Sequence, residues 1–144
     1  MLVSKNIQIE FSTLWHNEVS KQESKTKIKN YFRLNYLYSL NPEVEGLVYL
    51  RKIIDLSLKI GVNVLPFIPP VNYQLGEQLF GQIFRVKYEQ NVEKIRQITK
   101  DKGVDILDMS YALETSMFAE PTTPDETANE FGRKKLAELL CSRL

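Results

Sequence analysis

The order of apolar patterns after Asn41 is the sequence feature that most restricts the fold. From this residue onward the chain alternates between segments with helical spacing and short apolar runs, in the order helix, strand, helix, strand, helix. Strands that are separated by helices pair in parallel through right-handed crossovers, so this alternation predicts an α/β layer. The composition is typical of such a globular domain, since 43% of the 144 residues are hydrophobic and 26% are charged.

Clear start and stop signals frame the first of these elements. Asn41 can cap free backbone N–H groups, Pro42 is tolerated at the first helical position, and Gly61 fits the position that ends a helix. Apolar residues occupy more than a narrow stripe of this helix, so we expect much of its surface to be covered. Val62–Ile68 is a predicted buried strand, in which Pro66 indicates an edge position or a bulge.

The rest of the chain continues the alternation. Its glycines and prolines mark the boundaries, and its apolar residues recur at helical or strand spacing. The predicted elements are a loop from Pro69 to Gly81, a helix from Phe84 to Lys100 that Gly103 ends, a strand Val104–Asp108, and a last helix with Thr123 as N-cap and Pro124 and Glu126 in its first turn.

These elements provide too few strands for a typical sheet of about four to six. We therefore expect residues 41–144 to form an α/β unit with a partial doubly wound parallel sheet of two to three strands flanked by helices. Residues 1–40 are predicted to be a helical extension, with a helix over 24–38 and a short strand or helix start at Ile7–Phe11. A homodimer or a partner chain is expected to complete the sheet, through a two-fold contact of more than about 1,000 Å² at the Tyr31–Tyr38 helix or at a sheet edge.

Charge and residue counts narrow the function classes. A net charge of +1 gives the chain no overall positive electrostatic field that would attract nucleic acid. The run of basic and aromatic residues over 21–38 also contains acidic neighbours, which favours its interpretation as a solvated helix face. Cys141 is the only cysteine and His16 the only histidine, so a disulfide framework and a Cys-based zinc cluster are excluded. We predict no cofactor, no metal, no nucleic acid and no membrane insertion. The absence of a signal-like apolar segment makes the cytoplasm the default location.

Three residues near predicted strand ends are candidate ligand-binding residues. Asp105 and Asp108 could form a paired carboxylate or a cation site, or they could lie in a solvated loop with Asp108 bonded to the backbone near Ser110. Asn72 could donate to a ligand carbonyl or phosphate, or bond its own backbone in a turn. His16 has no Ser or Cys beside it that completes a nucleophile–base unit.

Several segments from Glu43 onward resemble the carboxyl-terminal half of the SGNH (GDSL-type) hydrolases, with the D-alanyl transfer proteins of the lipoteichoic acid pathway as the nearest variety. The likeness covers about two-thirds of the chain and depends on the order of its motifs. Those motifs are Val64-Leu65-Pro66-Phe67-Ile68-Pro69-Pro70-Val71-Asn72, Tyr88-Glu89-Gln90-Asn91-Val92, Val104-Asp105-Ile106-Leu107-Asp108-Met109-Ser110, and Phe118 to Leu140 with Asn129-Glu130-Phe131-Gly132-Arg133.

This resemblance implies hydrolysis or acyl transfer by a Ser nucleophile, an Asp and a His, yet the chain lacks those residues at the family's positions. No Gly-Asp-Ser type motif is present, and Thr127 and Pro124 occupy the places of the family's His and Asp. No catalytic residue can be assigned, so we expect the C-terminal portion of such a protein, linked to cell-surface polysaccharide and inactive alone. Its parent could act at the outer membrane surface. The alternatives are a non-catalytic, self-associating interaction module and a small esterase that uses His16.

Overall fold

A computed structural model describes residues 21–120 and 127–143 and shows an α/β chain that is mostly helical. Helices surround a small sheet, and one turn of 3-10 helix, Thr115–Met117, precedes the last of them. The helices are α1 (Lys21–Tyr36), α2 (Glu45–Lys59), α3 (Tyr73–Phe80), α4 (Gln82–Asp101) and α5 (Glu130–Cys141), and the strands are β1 (Phe67–Ile68) and β2 (Leu107–Asp108).

The predicted parallel pairing is confirmed, although both strands are shorter than predicted. Phe67 pairs with Leu107 and Ile68 with Asp108 in a parallel register. Pro66 contributes only its carbonyl oxygen, which accepts a hydrogen bond from the Leu107 N–H at 2.9 Å. Because proline has no N–H to donate, the ladder begins after Pro66, and the prediction of a strand over all of Val62–Ile68 is wrong.

Two helix–strand units in the chain share the same turn. Gly61 ends α2 with φ of +71°, and Gly103 ends α4 with φ of +67°, as the sequence predicts. In each unit the residue after the glycine donates to the carbonyl five residues earlier, from the Val62 N–H to Ser57 and from the Val104 N–H to Thr99. The sequence Gly-Val-(Asn/Asp)-(Val/Ile)-Leu follows both helices, so the two units can be aligned on their glycines.

The start of α2 differs from the prediction. The Asn41 side-chain oxygen accepts from the Glu43 N–H at 3.0 Å, and the Asn41 carbonyl accepts from the Val44 N–H. These bonds form a turn, so the helix begins at Glu45 with Val44 as its N-cap. Asparagine serves turns and helix caps equally well, and here the turn uses its side chain.

Two other predicted boundaries are wrong. The segment predicted as a loop from Pro69 to Gly81 contains α3. The predicted N-cap Thr123 and its Pro124 and Glu126 lie outside the described residues, but Thr127 to Asn129 are not helical, and α5 begins at Glu130. The predicted strand or helix start at Ile7–Phe11 also lies outside the described residues.

The main core lies between α1, α3, α4 and one face of the sheet. Phe32 of α1 and Phe84 of α4 are fully buried, with ring centroids 5.7 Å apart in an edge-on arrangement, and Ile68 and Val92 belong to the same cluster. The aromatic residues of α1 therefore pack largely within this chain. No helix of the described residues combines the length and the apolar character needed to cross a membrane.

Candidate functional site

The loops that follow β1 and β2 meet at the carboxyl end of the sheet, where α/β folds commonly place ligand-binding residues. The Val71 N–H donates to the Ser110 carbonyl at 3.1 Å, which joins the two loops through their backbones. The Thr115 hydroxyl also donates to the Asn72 side-chain oxygen at 2.8 Å. Two of the three predicted ligand-binding residues, Asn72 and Asp108, lie in this region.

The Asn72 side chain is fully buried and serves the backbone. It is the N-cap of α3, where its side-chain oxygen accepts from the Leu75 N–H at 3.3 Å and also from the Thr115 hydroxyl. This arrangement matches the interpretation in which Asn72 bonds a local turn. Its oxygen is already shared by two donors, so it holds the start of α3 against the segment that contains Thr115.

Asp108 belongs to a chain of polar side chains that continues into α4. One carboxylate oxygen accepts from both the N–H and the hydroxyl of Ser110, and the Tyr88 hydroxyl donates to the Ser110 hydroxyl oxygen at 2.9 Å. The other carboxylate oxygen pairs with the Arg96 guanidinium, which also contacts Glu93. Desolvation by burial opposes the charge of Arg96, but its bonds to these two carboxylates outweigh that effect and raise its pKa.

Asp105 lies apart from this chain of contacts. It precedes β2 and is exposed, whereas Asp108 is the last residue of that strand. Asp105 takes no part in the hydrogen bonds and the ion pair that hold the Asp108 carboxylate. The structure therefore does not bring Asp105 and Asp108 together as paired carboxylates, and no group of three His, Cys, Asp or Glu side chains among the described residues could hold a metal.

The segment that resembles the last helix of the SGNH family docks α5 onto the 3-10 turn. The Asn129 side-chain oxygen caps α5 by accepting from the Gly132 N–H at 3.1 Å, and its amide group donates to the Ser116 carbonyl at 2.8 Å. The Asn129 N–H donates to the Met117 carbonyl. A Cβ atom on Gly132 would lie 2.5 Å from that same Met117 oxygen, so only glycine permits this close approach.

Neighbouring residues complete this docking. The Arg133 guanidinium donates to the Ala128 carbonyl at 3.0 Å, and Ala128 forms an isolated antiparallel bridge with the buried Phe118. Thr127, at the position of the family's histidine, accepts from the Ala119 N–H through its carbonyl. A threonine cannot accept the proton of a serine nucleophile at neutral pH, so this position supplies no catalytic base.

A shallow cleft lies at the junction of α3 and α4. Glu77, Gly81 and Arg85 line it, and the Arg85 guanidinium is paired with the Glu77 carboxylate at 2.6 Å. Arg85 also lies over the ring of Tyr111, with its guanidinium carbon 5.6 Å from the ring centroid. Because Glu77 neutralises the arginine, this cleft does not provide an anion site.

Sequence reasoning missed Tyr88 and Thr115 as members of the loop junction and treated Ser110 only as a neighbour of Asp108. Tyr88 lies on α4 and Thr115 begins the 3-10 turn. Their hydrogen bonds to Ser110 and Asn72 join residues that are 22 and 43 positions apart in the sequence. The Asp-x-Ser spacing of Asp108 and Ser110 is a local signal for the turn, whereas nothing local identifies Tyr88. Ser110 is 1% exposed, so its hydroxyl is not accessible as a nucleophile.

No protein-family model, no curated protein and no solved structure matches this chain.

Proposed function

We propose that this chain is the C-terminal portion of an SGNH-type hydrolase or acyl-transfer protein, with a partial doubly wound sheet, and that it is inactive alone. The observation that carries the proposal is the docking of α5. Asn129 caps the helix and Gly132 admits the Met117 carbonyl, which gives the Asn-x-x-Gly-Arg segment a defined structural purpose at the end of the chain. The succession of helix–strand units before it agrees with the order of motifs in that family.

The chemistry of the described residues supports the proposed inactivity. Ser110 is buried and bonded to Tyr88 and Asp108, and Thr127 cannot act as a base. Acyl transfer through a serine requires a neighbouring group that accepts its proton. In this proposal the nucleophile and the base belong to another part of the parent protein, and this chain supports the fold around them.

An ester hydrolysis assay tests the proposed inactivity. We expect the purified chain to turn over a short-chain aryl ester no faster than a heat-treated sample of the same chain. The variants Ser110→Ala and His16→Ala should leave this background rate unchanged. A rate above background that either variant abolishes would contradict the proposal and favour the small esterase that uses His16.

The relation to a larger protein is tested on the natural transcript. We expect the reading frame that contains Met1 to extend upstream and to encode a Gly-Asp-Ser type motif. Translation initiation at Met1, established by mass spectrometry of the natural protein's amino terminus, would contradict this part of the proposal.

A further inference from the structure

Helix α2 has an exposed apolar stripe in addition to its buried face. Leu47 and Ile54 are buried, but a second set of large apolar residues, on the opposite face of the helix and at its C-cap, is more than half exposed. An extended apolar surface of this kind marks an interaction site more often than single exposed residues do. This stripe, called here the α2 seam, consists of Tyr49, Ile53 and Leu56 on the helix and the C-cap residue Ile60, which are 51%, 57%, 59% and 64% exposed.

The spacing of the seam is that of a coiled-coil heptad. The intervals between its members are four, three and four residues, so Tyr49 and Leu56 occupy d positions and Ile53 and Ile60 occupy a positions. Such a/d residues insert as knobs between the side chains of a facing helix. Isoleucine at a together with leucine at d favours two parallel helices, so the seam is suited to a single helical partner.

The corresponding face of α4 is covered by a helix within this chain. When the two helix–strand units are aligned on their glycines, Ile95 and Ile98 of α4 correspond to Ile53 and Leu56 of α2. Ile95 and Ile98 pack in a cluster with Leu47 of α2. On the first unit, no helix among residues 21–120 and 127–143 covers the corresponding face of α2.

We propose that the α2 seam is the docking surface for a second copy of this chain, with the two α2 helices side by side and parallel about a two-fold axis. A parallel pair places identical a and d residues in the same layers. It also places Lys52 across from Ser57 of the second copy, which brings no like charges together. An antiparallel pair places Lys52 across from Lys59 of the second copy, and this repulsion disfavours it.

This inference goes beyond the proposed function, because it requires neither a catalytic group nor a relation to the SGNH family. The seam contains fewer than two heptads, so its apolar area is modest. The helix is already formed in the folded chain, however, and association avoids the cost of helix nucleation. We therefore expect weak association, with a dissociation constant of roughly 10–100 μM.

Sedimentation of the full chain tests the docking surface. From about 1 to about 500 μM the weight-average mass should rise from that of a monomer toward that of a dimer. Ile53→Lys and Leu56→Lys should each weaken the association at least tenfold, while the matched control Leu34→Lys, at a 75%-exposed position on α1, should leave it unchanged. Circular dichroism and a thermal transition check that every variant is folded.

Disulfide cross-linking tests the orientation. In a Cys141→Ser background, Ile53→Cys should form a covalent dimer on mild oxidation, because a parallel pair places position 53 opposite itself. An antiparallel pair places it opposite Leu56 and gives no such product. A monomer at every concentration, a dimer that neither lysine variant weakens, or a dimer without this cross-link would overturn the proposal, and the second result would locate the contact elsewhere on the chain.

Discussion

The close approach of α5 to the 3-10 turn makes Gly132→Ala an informative perturbation. Gly46 is a matched control, because both glycines lie in the first turn of a helix. A Cβ atom at Gly46 meets no atom within 4 Å, so Gly46→Ala should gain up to about 1 kcal/mol of stability from the better helix propensity of alanine. A Cβ atom at Gly132 would lie 2.5 Å from the Met117 oxygen and 3.0 Å from the Ala128 Cβ.

The Met117 carbonyl cannot withdraw without a cost, since it accepts the Asn129 N–H at 2.9 Å. Overpacking of this kind costs about 1–3 kcal/mol, and loss of the hydrogen bond adds about 0.5–1.5 kcal/mol. After the helix gain is subtracted, we expect Gly132→Ala to lower the free energy of unfolding by about 1–3 kcal/mol. The melting temperature should fall by about 2–4 °C for each kcal/mol in a chain of this size.

Urea and thermal unfolding of both variants measure the effect, and amide hydrogen exchange locates it. Exchange of the Asn129 N–H should accelerate in Gly132→Ala and stay unchanged in Gly46→Ala. Equal or greater stability of Gly132→Ala relative to Gly46→Ala would refute the reasoning. That result would mean that α5 does not approach the Met117 carbonyl as closely as the structure indicates.

Other contacts give further predictions. Asn91→Asp should lower the free energy of unfolding by about 1–2 kcal/mol in urea, because the amide group that donates to the Tyr38 carbonyl at 2.7 Å is lost. Tyr88→Phe should cost a similar amount, about 1–2 kcal/mol, because Ser110 loses its buried donor, and unchanged stability would argue against that contact. Burial raises the pKa of Tyr111, so its contribution to stability is complete below about pH 10 and is lost as the pH rises further; Tyr111→Phe should flatten the stability curve above that pH.

Local signals were sufficient to predict the helix–strand alternation and its stops. Gly61 and Gly103 both adopt positive φ where the sequence predicts helix ends, because glycine alone carries no Cβ penalty there. Helix α3 was missed because it has only eight residues, contains Gly76 and follows two prolines. Its one local signal is Asn72, whose sequence context predicts a ligand or turn residue rather than a helix cap.

Competing start signals explain the error at α5. Thr123 with Pro124 and Glu126 has the composition of a capping box, but Asn129 makes the cap that the structure contains. A tertiary contact stabilises the cap at Asn129, because the Asn129 amide group also donates to the Ser116 carbonyl. Local sequence rules do not include such contacts, and so they cannot rank two adjacent caps of similar quality.

Binding a partner has a different cost at the two surfaces, the polar carboxyl end of the sheet and the apolar α2 seam. The Asn72 and Asp108 oxygens already accept hydrogen bonds from Thr115 and Ser110. A ligand that used these oxygens would have to break bonds worth about 0.5–1.5 kcal/mol each, and more where a buried group is left unpaired. Docking on the apolar atoms of the α2 seam breaks no such bonds, and these side chains are more than half exposed. Binding at this surface therefore gains the burial of apolar area without disrupting the contacts that join the two loops, which favours association over ligand chemistry for the described part of the chain.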